Sequence, residues 1–373
     1  MHSGLLTAAG DHLSNDTGRW RDLVAAAGVF VSSAKPAVPF HLRTNLAAQA
    51  VELTYDDESL FAEAFASLGG SSEAEPTPFS PDVVVEVRAH STFPDFAYFH
   101  VSRHGVPVAA AEYFFGFDHP DGPFQQLATE SGWTLARKRT ADETVPFLIV
   151  RGPHCFIRLT PEWTTDVLSF VFRAVFAVQR DALLFHAAAV NIAGRGVMIV
   201  GPSGAGKTTT ALALAARGHD ILTDEVSWYV PSTGELLDFR RPVGIREGVR
   251  PAALDAALER AGAAAVNWGG SRRLFVHDLL PQHQPMSRVR LEVVVVLQSF
   301  SDTPVLTRIT PGNQHLSLLR PIPLSMLNAS PARRIMQVAQ LLSAVRMYHL
   351  DLGHPDKTAE ILEEAVLHDH DRS

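Results

Sequence analysis

Apolar and polar positions follow two different rhythms along the chain. Up to about residue 68 the sequence is Ala-rich and reads as helical patches, at Asn45–Val51 and Leu60–Leu68. Gly69–Pro78 is a polar break carrying both glycine and proline, and it is the best linker candidate. Beyond it the pattern shortens to alternation. Val83–Arg88, Ala97–Ser102 and Val108–Tyr113 read as strands, the last two joined by a turn at Arg103–Gly105. Phe147–Arg151 and Cys155–Leu159, joined through Gly152–His154, read as a further hairpin. Pro161–Gln179 returns to helical spacing, with Thr164 or Thr165 as a cap and an aromatic stripe that faces a core.

From Leu183 onward, strands and helices alternate around strongly buried runs. Val197–Val200 predicts a strand and Thr209–Arg217 a helix, which Gly218 ends. His219–Tyr229 follows as a strand with Asp224 and Glu225 in its middle. Arg288–Ser299 and Val305–Ile309 are strands, Ala332–Met347 a helix, Tyr348–Asp351 a short strand and Pro355–Leu367 a closing helix. The pattern predicts an α+β domain over residues 1–160, in which partner or substrate recognition would reside, and an α/β domain over residues 161–373.

Composition narrows the function classes. A chain of 373 residues with 46% apolar content can build two or three cores. A net charge of −8 with no Lys/Arg-rich run argues against a nucleic-acid partner. Cys155 is the lone cysteine, so neither a disulfide framework nor a thiolate metal cluster is expected. The first ten residues lack the basic and apolar regions of a signal peptide, and the apolar stretches at Val167–Val178 and Leu291–Leu297 are too short or interrupted to span a bilayer. The expectation is a cytoplasmic protein without a membrane partner. His100, His104 and His154 are scattered without paired carboxylates, which fits surface histidines better than metal ligands.

The chemistry concentrates in Gly201-Pro202-Ser203-Gly204-Ala205-Gly206-Lys207-Thr208-Thr209. Two glycines separated by four residues, then Lys and Thr, match the phosphate-loop pattern, and the strand before and helix after supply the required frame. Such a bend turns several backbone N–H groups toward one point, where the helix N-terminus adds positive potential. Lys207 would neutralise the β/γ-phosphates and the Thr208 hydroxyl would help to hold Mg²⁺. A nucleotide-binding protein follows. Three further elements could complete a phosphoryl-transfer site. Asp224 and Glu225 lie 16 and 17 residues beyond Thr208 and could bind Mg²⁺ and accept a proton. His186 lies 15 residues before Gly201; alone, a histidine in an apolar strand is more often a satisfied core residue. Arg240, Arg241 and Arg246 could clamp phosphate oxygens.

Taken together, Leu184-Phe185-His186, Gly194–Gly201, Gly206–Thr208, Arg217–His219 and Asp224-Glu225 resemble the catalytic core of bacterial HPr kinase/phosphorylase and its relatives. The resemblance is specific over residues 184–246, diffuse to about Leu367 and absent from the first 160 residues. It implies a fold similar to phosphoenolpyruvate carboxykinase, with ATP and Mg²⁺ as cofactors. It implies that Asp224 is the base on the acceptor hydroxyl and that Glu225 and Thr208 hold Mg²⁺. It also implies that His186 positions or charge-balances the phosphates and acids, and that Arg241 or Arg246 stabilises the transferring phosphoryl. The chain departs from the pattern in four ways: Glu225 replaces a second Asp, Thr208 the usual Ser, Asn191 a frequent acid, and Arg240–Arg246 resembles the Arg-Pro-rich form of divergent, kinase-like members rather than the family's own signature. The function implied is an ATP-dependent kinase acting on a hydroxyl of a peptide, protein or small molecule, with homo-oligomers common among relatives. The alternative is a nucleotide-binding regulatory or assembly module without phosphotransfer.

Overall fold

The structure, a computed structural model, describes residues 24–27, 29, 31, 40–46, 49–56, 81–89, 96–110, 124–138, 147–158, 175, 182–239, 242–245, 251–260, 266–268, 271–280, 288–310 and 331–368. The chain divides into two compact units between Val178 and Gln179, with the short segments 45–48 and 66–69 grouped with the second.

The first unit is built on nine strands: β1 (Phe40–Leu46), β2 (Gln49–Tyr55), β3 (Val83–Ala89), β4 (Phe96–Arg103), β5 (Val106–Pro107), β6 (Phe124–Glu130), β7 (Trp133–Lys138), β8 (Leu148–Arg151) and β9 (His154–Arg158). They form one sheet, ordered β1-β2-β3-β4-β9-β8-β7-β6 with β5 beside β4. β2 and β3 run parallel, whereas β4 pairs antiparallel with β3, β5 and β9. Tyr98, Trp133, Leu135, Ile149 and Phe156 pack with Val24 and Ala27 into a core on this sheet. The helical reading of Asn45–Val51 is overturned where the residues are described: Asn45 and Leu46 close β1, and Gln49–Val51 open β2, where Val51, Leu53 and Tyr55 alternate into the core. The turn after β4 is at His104-Gly105, both left-handed (φ 45° and 76°), as a two-residue hairpin requires. The pairing strand is Val106–Pro107 rather than Val108–Tyr113, and Pro107 brings no N–H to extend a ladder. β6 and β7 gave no readable alternation; along β6 only Phe124 is buried.

The second unit contains β10 (Leu183–Phe185), β11 (Ala187–Ile192), β12 (Arg195–Val200), α1 (Lys207–Ala216), β13 (Asp220–Thr223), β14 (Ser227–Val230), β15 (Glu235–Leu237), β16 (Val243–Ile245), α2 (Ala252–Arg260), β17 (Val266–Trp268), β18 (Ser271–Leu274), α3 (Val276–Leu279), β19 (Arg288–Phe300), β20 (Val305–Ile309), α4 (Pro331–Ala344), β21 (Arg346–Leu352) and α5 (Pro355–His368). β12, β19 and β21 run parallel, β20 closes that edge antiparallel, and β16, β17 and β18 make a small separate sheet. Side chains alternate between two cores. Val197, Ile199, Val293 and Val295 face α1 and α5, while Met198, Val200, Val294 and Val296 face α4. The result is a mixed, sheet-rich α/β unit with helices on both faces. Gly196 lets β12 approach β19, since a Cβ there would stand 2.5 Å from the Arg290 carbonyl oxygen.

α1 ends as read. Gly218 is left-handed at φ 96°, and the His219 and Gly218 N–H groups close on Leu214 O (3.2 Å) and Ala215 O (2.9 Å). Glu363 of α5 pairs with Arg217 (2.5 Å) and His219 (3.3 Å), which pins that end of α1. Two boundaries differ from expectation. His219–Tyr229 is two strands, interrupted at Asp224–Val226, and Arg346 and Met347 open β21 instead of closing α4. The readings at Leu60–Leu68 and Gly69–Pro78 lie outside the described residues, as does Pro161–Gln179 apart from the helical Val175.

Candidate functional site

β12 delivers the chain directly into the glycine-rich bend. Gly201 is packed from both sides, since a Cβ there would meet Leu297 at 3.1 Å and Ala205 at 3.2 Å. Gly204 and Gly206 are left-handed (φ 80° and 98°), conformations that side-chain-bearing residues rarely adopt. The Ala205 N–H closes the bend on Pro202 O at 3.2 Å. Ser203 and Gly204 stand exposed at the crest, while Ala205, Gly206, Thr208 and Thr209 are half-buried. α1 begins at Lys207 with neither a side-chain cap nor an acid in its first turn. Its leading N–H groups and the positive end of its dipole therefore face the bend. Thr210 sits one step further in and ties the turn, its N–H and hydroxyl both donating to Gly206 O at 2.9 Å.

Lys207 is buried, only 7% exposed, and its ammonium donates to Gly201 O (2.9 Å) and Pro202 O (3.0 Å). Burial lowers its pKa from the ordinary value, and the Glu225 and Asp224 carboxylates oppose that shift. A cationic nitrogen held on its own loop's carbonyls, above an uncapped helix start, is suited to a polyphosphate.

The flanking groups are set by register. β10 pairs with β14 (Phe185 opposite Ser227) and β11 with β13 (Ala189 opposite Thr223), so residues 186–188 lie opposite 224–226 on one continuous antiparallel ladder. Both chains break regular pairing at that level. Followed onward, the pairings run from β14 to β15, β19, β12 and back to β11, so the ladder closes on itself. Ala187 stands opposite Val200, which brings His186 level with the first glycine of the bend. The His186 ring hydrogen-bonds the Glu225 backbone; burial and the Lys207 charge hold its pKa below the ordinary 6.5, against the pull of the Glu225 carboxylate. These influences bias the imidazole toward its neutral form. Thr223, itself buried, accepts from the Val226 N–H (3.4 Å) and the Glu225 N–H (3.5 Å), shaping the turn that carries the two acids.

His186, Lys207, Asp224 and Glu225 thus sit within electrostatic reach of one another beside the bend. Arg241 and Arg246 lie outside the described residues. Among the described residues no three His, Cys, Asp or Glu side chains gather as a metal cage; Mg²⁺ is commonly held by one or two carboxylates plus substrate phosphates, which needs no such cage. In the first unit, His154 hydrogen-bonds Tyr98 at 2.8 Å, and His104 faces Asp82 at 3.8 Å from the surface. Sequence reasoning missed Leu352 and Phe300, which pack against Gly206 from the ends of β21 and β19. Their only signal was an apolar residue at the polar end of each strand.

One consequence is testable on stability alone. Gly206→Ala forces a Cβ onto a left-handed residue, 2.8 Å from Leu352 Cδ1, whereas Gly204→Ala meets nothing within 4 Å. Gly206→Ala is expected to lose about 1–3 kcal/mol in urea unfolding, and Gly204→Ala the smaller part of that range. Equal losses would show that the contact with Leu352 adds nothing.

No protein-family model matches the chain. Curated relatives do. HPr kinase/phosphorylase of Exiguobacterium sibiricum is 25% identical over 258 residues, covering 65% of this chain and 78% of the relative. HPr kinase/phosphorylase of Clostridium acetobutylicum is 24% identical over 187 residues, covering 49% of this chain and 56% of the relative. The solved HPr(Ser) kinase/phosphatase from Coxiella burnetii is 14% identical at a TM-score of 0.25, covering 49% of this chain and 93% of that one. The chain spans little more than half the length of the clostridial relative. It is a divergent relative of the HPr kinase/phosphorylases.

Proposed function

We propose that the chain is an ATP-dependent phosphotransferase with a phosphoenolpyruvate carboxykinase-like second domain, passing the γ-phosphoryl to a hydroxyl. The observation that supports this reading best is His186 level with the first glycine of the bend, with the Glu225 and Asp224 carboxylates within electrostatic reach of Lys207. The names of the relatives support a protein as the acceptor class; a peptide or a small-molecule hydroxyl fits the same chemistry.

Within this reading the N–H groups of Gly204–Thr208 hold the β- and γ-phosphates, and Lys207 turns from its loop carbonyls toward them. Thr208 and Glu225 hold Mg²⁺, which when bound with ATP neutralises phosphate charge and makes the terminal phosphoryl transferable. Asp224 accepts the proton of the attacking hydroxyl. Neutral His186 orients the acids and adds no charge to the cluster. Arg241 or Arg246 would supply further cationic stabilisation. Such a site works by positioning and charge neutralisation. The first domain, over residues 1–160, is assigned to recognition of the acceptor or a partner, and a cytoplasmic, homo-oligomeric protein is the accompanying expectation.

Incubation with γ-labelled ATP, Mg²⁺ and a soluble cell extract tests the proposal. The expected result is label in a phosphomonoester on a protein, peptide or small molecule, abolished in Asp224→Asn. Release of inorganic phosphate alone, equal in both proteins, would overturn it in favour of a nucleotide-binding regulatory module.

A further inference from the structure

We propose that Phe300 is the platform on which the base of the bound nucleotide stacks; this rests on the phosphate-loop reading above and assigns the far end of the same ligand. β12 has β11 on one side and β19 on the other. His186 and the acids belong to the β11 side, so the reacting end of a triphosphate lies there. The nucleoside must then leave across the bend toward the ends of β19 and β21.

At that place stands an aromatic ring with no core to serve. Phe300 is the last residue of β19 and is 72% exposed. Its Cε1 and Cζ lie 3.9 Å from where a Cβ on Gly206 would be, so its edge borders the bend itself. The backbone that carries it is tied down. Phe300 is paired with Leu352, the Ser301 N–H donates to Leu352 O at 2.7 Å, and Pro304 is packed so closely on Gly353 that a Cβ there would meet it at 2.4 Å. A solvent-facing ring on a tied strand end beside a phosphate cradle offers a flat apolar face to a heterocycle, and stacking of this kind tolerates any base because every base has a π-face.

Binding of Mg²⁺-ATP and of inorganic tripolyphosphate is measured by calorimetry on the full chain and its Phe300 variants. Phe300→Ala is expected to weaken ATP about tenfold or more, to weaken GTP comparably, and to leave tripolyphosphate unchanged. Phe300→Trp should restore ATP affinity, with indole fluorescence quenched by ATP and not by tripolyphosphate. Phe300→Leu keeps bulk but not the ring, and should behave as Ala does. If the wild type binds both ligands and Phe300→Ala holds ATP within about twofold, the platform is wrong and the phosphate reading stands. If the wild type binds neither ligand, the phosphate reading fails and the platform with it.

Discussion

Lys207→Ala is expected to weaken Mg²⁺-ATP binding by about 100-fold and to remove turnover, with the fold intact. Charge-assisted hydrogen bonds contribute about 1.5–3 kcal/mol each, and about 1.4 kcal/mol is tenfold in affinity. Lys207 is the cation aimed into the bend, and two of its donors are already spent on Gly201 O and Pro202 O, ready to be exchanged for phosphate oxygens. The variant frees those two carbonyls, for which water can substitute, so a thermal melt should move little. Lys207→Arg should not rescue, because a planar fork does not fit where a compact ammonium is buried at 7% exposure. ATP titration and circular dichroism melts check both halves. Binding within about threefold of wild type would remove Lys207 from the phosphate site.

Asp224→Asn has the second largest expected effect and the opposite signature. The amide keeps the shape of the carboxylate but cannot take a proton, so phosphoryl transfer should fall by about 10²–10⁴-fold. Affinity for Mg²⁺-ATP should change little, because the metal is assigned to Thr208 and Glu225. Single-turnover transfer measured beside equilibrium binding separates the two. Weakened binding with an equal loss of transfer would instead make Asp224 a metal or phosphate ligand.

The site was more legible in the sequence than its surroundings. The glycine bend announces itself because backbone geometry admits few residue types at Gly204 and Gly206, both left-handed. The alternation of Val293 to Leu297 between two cores likewise leaves a continuous apolar run that can only be a buried strand. What could not be read is what tertiary context decides. Ala50 favours helix in isolation, yet Gln49–Val51 opens a strand because Val51 heads an alternating buried series. The break between β13 and β14 was hidden because its acids sit inside an otherwise apolar run, and the buried Thr223 hydroxyl that shapes the turn looks like any strand threonine. The importance of Phe300 is invisible without knowing that the end of β19 meets Gly206.

The ladder that joins residues 183–185 to 227–229 keeps the same register where 189 meets 223, with three residues of each chain lying between. A single residue inserted or deleted at 186–188 or 224–226 would slip one flank by a position unless a second irregularity absorbed it, beside the register shift already present between Ala189 and Val190. An exchange of kind, such as a longer acid for a shorter one, leaves that spacing untouched.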